Sequence, residues 1–162
     1  MDLLSLATFV HLIAASAWLG GMIYINFVLM PMLKTFEPSA AGQMVRENGK
    51  RFPILSWVSV GLLIITGMMQ LNTDAVFEFS TDYGTYLTLK LITIALMIAI
   101  GLYITFLLYP KLLKLAPTDG AAPSHEFIAL QKRLPLLAKI NMALGILVMF
   151  FVALIIGEWE WI

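Results

Sequence analysis

The sequence predicts an all-α integral membrane protein, a bundle of four transmembrane helices, and three observations carry that prediction. First, 60% of the 162 residues are hydrophobic and 12% are charged, about half the charge of an ordinary soluble domain. Second, four long apolar runs can be read directly: Leu3–Leu33, Phe52–Thr73, Tyr83–Tyr109 and Leu134–Gly157. Each exceeds the ~20 residues that a helix needs to cross a hydrocarbon core about 30 Å thick. Third, the segments between the runs alternate in charge, as a chain crossing a membrane four times requires. Little sequence is left for a soluble domain, so residues 1–162 read as a single four-helix membrane domain.

Run one contains no Asp, Glu, Lys or Arg. It begins Met1-Asp2, with no basic leader, and is far longer than the apolar core of a signal peptide. It is therefore expected to stay as a helix. His11 is its ionisable side chain, apart from the weak acid Tyr24. An ionisable group at membrane depth is costly and by default marks a functional site. The run closes on Pro31 and Lys34. The segment after it carries Lys34, Arg46, Lys50 and Arg51, and Ser39 is placed to cap a short separate helix over Ala40–Lys50.

Run two follows Lys50-Arg51-Phe52-Pro53. The segment after it has Asp74, Glu78 and Asp82 and no base. Run three contains Lys90 and ends at Pro110, Lys111 and Lys114. A connector, Ala116–Pro123, leads to Ser124, which can cap a second short helix over His125–Lys132. His125 lies in this wet segment and reads as a surface histidine. Run four follows Lys132-Arg133, contains Lys139, and ends near Trp159 and Trp161, which suit an interfacial aromatic belt. Basic segments stay in the cytoplasm. Both termini, with Asp2, Glu158 and Glu160, and the middle acidic segment then face outward, across a cell's inner (cytoplasmic) membrane.

Composition excludes several classes. Zero cysteines rule out disulfides, thiolate metal sites and Cys nucleophiles. A net charge of zero leaves no nucleic-acid footprint. The runs hold no paired carboxylates, no Ser/His/Asp set, no H-E-x-x-H and no phosphate-binding glycine loop, so hydrolysis and phosphoryl transfer find no support.

The chain also repeats itself. Tyr24-Ile-Asn-Phe27-Val-Leu-Met-Pro31 at the end of run one matches Tyr103-Ile-Thr-Phe106-Leu-Leu-Tyr-Pro110 at the end of run three, an offset of 79. Lys50-Arg51-Phe-Pro53 matches Lys132-Arg133-Leu-Pro135, an offset of 82. This predicts two repeats, about 1–80 and 81–162, of the same topology, related by a pseudo-two-fold axis along the membrane normal. The 79-residue offset carries His11 onto Lys90 and Trp18 onto Met97. Both nitrogen side chains then lie at similar depth, ~12 Å and ~10 Å from the start of their runs at 1.5 Å per residue. Thr66, Met68, Met69, Gln70, Met149 and Phe150 share that layer on the returning runs.

Neutral imidazole is the commonest metal ligand. A buried lysine either loses its proton and coordinates, or keeps it and binds an anion such as a haem propionate. Lys90 equally suits snorkelling to the interface, and His11 suits a bond to a helix hydroxyl or carbonyl. Ten methionines offer soft thioethers to Cu(I), though Met also fills apolar helix interfaces.

His11, then Trp18-Leu-Gly20-Gly21-Met22 and Pro31, resembles the first helix of the copper-resistance protein D (CopD) family. Arg51-Phe52-Pro53, Trp57 and Thr66-Gly67 resemble its second helix, and Asn141 with Leu144-Gly145 its last. The four-helix HemJ-type protoporphyrinogen oxidases are similar in outline, and that resemblance lands on His11, Trp18, Lys90, Arg133 and Asn141. It departs after Asn141, where those oxidases carry an acid and a proline and this chain has Met142-Ala143. The resemblance implies haem b held by a His and a Lys.

The expectation is therefore a haem b-binding membrane protein for electron transfer or porphyrin oxidation, its cofactor in the outer half of the bundle. His11 and Lys90 are the metal ligands, and Trp18 and Met97 complete the cofactor-binding set. An oxidoreductase role is open, and no catalytic residue is assigned. The alternative is a copper-binding or copper-uptake protein using His11 and methionines, and the third reading is a non-catalytic accessory subunit. Expected partners are the lipid bilayer, haem or copper, and a redox partner or a second copy of the chain.

Overall fold

The computed structural model describes residues 2–117 and 124–159; Trp161, Glu160 and most of the 116–123 connector lie outside the described residues. Within it the chain forms four long helices: α1 (Leu3–Leu33), α2 (Pro38–Met69), α3 (Asp82–Lys114) and α4 (His125–Trp159). No strand occurs among the described residues. All four are long and apolar enough to cross a membrane. Their outward apolar side chains agree: Leu3, Phe9, Leu12, Ile13, Ile54, Ile65, Phe106 and Phe150 are all exposed. A soluble surface would not tolerate so much apolar area, whereas lipid solvates it. This is a multi-pass membrane protein whose surface meets the bilayer.

The chain divides into two compact units, Met1–Thr73 and Asp74–Ile162. In the first, α1 packs against α2; in the second, α3 packs against α4.

Asp2 starts α1. Its carboxylate accepts the Ser5 N–H at 2.7 Å, filling one of the donors that a helix start leaves unpaired. Ser5, through its side chain first and then its N–H, holds the Asp2 carboxyl below the usual carboxylate range. Thr81 does the same for α3, its hydroxyl accepting the Gly84 N–H at 3.1 Å.

Both α1 and α3 widen into a π turn near their basic ends, over Ile25–Leu29 and Tyr103–Leu108. The cause is the proline that follows. A helical proline has no N–H and its ring strikes the carbonyl four residues back, here Phe27 for Pro31 and Phe106 for Pro110. A wider turn moves that carbonyl aside. Met30 N–H then bonds Ile25 O, and Tyr109 N–H bonds Ile104 O, five residues back in each case. The two bonds stand 79 residues apart, as the two prolines do. In α1, Asn26 Nδ2 also donates to the Met22 carbonyl at 2.9 Å.

The two short cytoplasmic helices expected over Ala40–Lys50 and His125–Lys132 are not separate. α2 and α4 run unbroken through Pro53 and Pro135. Each proline forfeits one helical bond, but it lies beside charged, exposed residues such as Arg51 and Arg133, at a helix level where a freed carbonyl can meet water. The start of α2 differs too: Glu37 is the capping position and Pro38 the first helical residue, not Ser39. At α4, Ser124 is the cap, its hydroxyl accepting the Phe127 N–H at 3.1 Å. Lys111 and Glu126 form an ion pair of 2.6 Å between α3 and α4, both about half exposed, so it adds at most about 1 kcal/mol.

Two glycines have close neighbours. A Cβ on Gly21 would stand 2.6 Å from Cε2 of Phe52, so the Phe52 ring packs directly on the α1 backbone and would have to shift for a larger residue. A Cβ on Gly84 would strike the carbonyl oxygens of Glu78 and Ala75. The segment before α3 therefore lies directly on its first turns. Phe77, at φ 64°, donates its N–H to Oγ1 of Thr88 at 2.9 Å. Ser80 donates to Glu78 from both its N–H and its hydroxyl, which holds the Glu78 carboxyl below its usual range.

Candidate functional site

His11 sits about two turns into α1 and is half-buried. Its Nδ1 lies 2.8 Å from Oγ1 of Thr66, in the last turn of α2. Thr66 is 6% exposed, and its hydroxyl donates to the Leu62 carbonyl at 2.6 Å. Leu62, Thr66 and Gln70 follow one another at a spacing of four and so form one face of α2. Gln70 Nε2 donates to the Thr66 carbonyl at 2.9 Å, satisfying an acceptor that the helix end leaves open. Thr8 is one turn before His11. Its hydroxyl lies 2.9 Å from the Leu4 carbonyl and 3.3 Å from Gln70 Oε1.

Gly67 completes the setting. A Cβ there would stand 3.4 Å from Cε1 of His11, so the α2 backbone lies against the imidazole edge. The polar groups of this layer thus collect on one side of the α1–α2 pair. Met68 and Met69, expected in the same layer, are 70% and 44% exposed and lie off the Thr66–Gln70 face. Met149, in the other unit, is also exposed. Met22 is buried on α1, but three turns beyond His11, about 16 Å along the axis.

Trp18 is half-buried, two turns after His11 on the same helix. In the second unit Lys90 is half-buried on α3, and Met97, two turns on, is 2% exposed. His11 and Trp18 belong to one compact unit, Lys90 and Met97 to the other. Among the described residues no group of three His, Cys, Asp or Glu side chains is placed to hold a metal ion. Sequence reasoning placed Thr66 in the right layer but did not pair it with His11. The signal was the Thr66-Gln70 spacing, two polar residues one turn apart on an otherwise apolar run.

The family model for copper resistance protein D matches residues 46–155, more than half of the chain. The chain belongs to the CopD family. That match spans α2, α3 and α4, and the resemblance of α1 rests on His11, Trp18 and Pro31. A protein of Aquifex aeolicus (strain VF5), described as uncharacterized, is 36% identical over 62 residues, 38% of this chain and 43% of its own length. The match thus spans less than half of that relative. No solved structure matches.

Proposed function

We propose that this CopD-family protein holds a metal centre within the membrane, with the His11 imidazole as ligand. The observation that supports it is the His11–Thr66 bond, which orients a membrane-depth imidazole through one nitrogen. Haem b is the first reading. A porphyrin supplies four ligands itself, so one imidazole and one further group suffice, and among the described residues no group of three His, Cys, Asp or Glu side chains is placed to hold a bare ion. In this reading Lys90, its equivalent under the repeat, is the second ligand or the partner of a propionate. Trp18 and Met97 would complete the set of residues that bind it. When bound, haem supplies one-electron chemistry; the chain's own residues bind and orient it and keep water away. Copper is the second reading, favoured by the family's description, with copper as cargo and His11 as one of its ligands.

The purified protein in detergent decides between them. A Soret band present in the wild type and absent in His11→Ala supports haem. Stoichiometric copper without a Soret band, lost in the same variant, supports copper. The absence of both signals, in protein extracted without chelators, overturns the proposal.

We place the centre in the outer half of a cytoplasmic membrane, with both termini outside. The chain has no cysteine, so single substitutions report cleanly. Phe79→Cys is expected to react with an impermeant maleimide in intact cells, and Arg46→Cys only after lysis. The reverse pattern would invert the topology.

A further inference from the structure

We infer that Thr66 is a positioning residue that fixes the His11 tautomer, placing the imidazole proton on Nδ1 and the lone pair on Nε2. The inference deepens the proposed function and rests on it for its purpose, though not for its test.

A hydroxyl has one proton and two lone pairs. The Thr66 oxygen makes two short contacts, 2.6 Å to the Leu62 carbonyl and 2.8 Å to His11 Nδ1. A carbonyl cannot donate. If Thr66 gave its proton to Nδ1, two acceptor oxygens would face one another at 2.6 Å with no hydrogen between them, which is repulsive. With the proton on the Leu62 side, Thr66 accepts from Nδ1–H and both contacts are satisfied. Back-bonding of a threonine to the carbonyl four residues earlier is an ordinary helical habit. Here it turns the hydroxyl into a pure acceptor facing the ring.

Several features hold that acceptor still. Thr66 is almost wholly buried, so water does not compete for its oxygen. Gln70 binds the Thr66 carbonyl, which steadies the last turn of α2. Gly67 lets that turn lie against the ring edge. An imidazole whose Nδ1–H is spoken for offers Nε2 as its basic nitrogen, and fixing that choice before the ligand arrives is how outer partners sharpen a metal site.

The test needs no bound metal. Apo protein with 15N-labelled histidine, carrying the surface change His125→Gln to remove the other imidazole, is expected to show His11 as the Nδ1–H form. In Thr66→Val that preference is expected to fall away toward the Nε2–H form, and in Thr66→Ser it returns. A wild-type spectrum with the proton on Nε2 overturns the inference even if Thr66→Val does not fold. So does a Thr66→Val protein that keeps Nδ1–H. Affinity for added haem, or for Cu(I), is expected to drop about 10- to 100-fold in Thr66→Val and recover in Thr66→Ser. If the tautomer shifts while neither ligand binds the wild type, the positioning holds and the metal-centre proposal fails.

Discussion

Gly84→Ala is expected to destabilise the second unit by about 2–4 kcal/mol, the sum of overpacking and a lost, partly buried hydrogen bond. Helix propensity alone predicts the opposite sign, because alanine favours a helix by up to about 1 kcal/mol over glycine. The difference lies in what the methyl meets. It would enter the space of the Glu78 and Ala75 carbonyl oxygens, and the backbone there cannot rotate away as a side chain would. Moving it lifts the segment from α3 and breaks the bond from Phe77 N–H to Thr88, a hydroxyl on a residue only 1% exposed. Thr88→Val should reach part of the same loss, about 1–3 kcal/mol, by leaving that N–H unsatisfied. The two changes should then be less than additive, since each breaks the same contact. Gly20→Ala is the control: a Cβ there meets nothing within 4 Å, so unfolding in detergent should be unchanged or slightly later. A Gly84→Ala protein as stable as wild type would sink this account of the segment.

Phe77 shows why that segment was not legible in the sequence. Its left-handed backbone usually announces itself through glycine or asparagine, and a phenylalanine carries no such mark. Its partner Thr88 lies 11 residues away and reads as one more polar residue on an apolar helix. The four crossings, by contrast, were legible because span length and charge alternation are properties of long stretches and survive any local error. The charged residues misled. Lys50 and Lys132 suggested the ends of short separate helices, yet α2 and α4 continue through them and through Pro53 and Pro135. The same residue type at positions 31 and 110 leaves a π turn in α1 and α3. One lost bond per proline is small beside the packing of a long apolar helix, so the chain keeps the helix and adjusts its pitch.

The site was legible by half. His11 stood out because nothing else in its run carries charge. Its partner did not, because Thr66 is a common residue in membrane helices and only the fold brings position 66 to position 11. That asymmetry shapes the second large effect, the contrast between His11 and Lys90. His11→Ala removes the imidazole that the α1–α2 pair orients, and binding of haem or copper is expected to fall below detection. Lys90→Ala leaves that orientation intact, because His11, Thr66 and Gly67 all lie in the first unit. Under the haem reading, Lys90→Ala should keep a Soret band, since His11 still binds the iron. The band would shift if Lys90 were a second ligand. If Lys90 holds a propionate, the band should stay and haem affinity should weaken about 10-fold or more. A Lys90→Ala protein with unchanged spectrum and unchanged affinity would assign that lysine to snorkelling and remove it from the site. Loss of the band in Lys90→Ala with retention in His11→Ala would reverse the roles assigned to the two residues. Under the copper reading, His11→Ala alone should abolish stoichiometric metal, because Lys90 enters that reading nowhere.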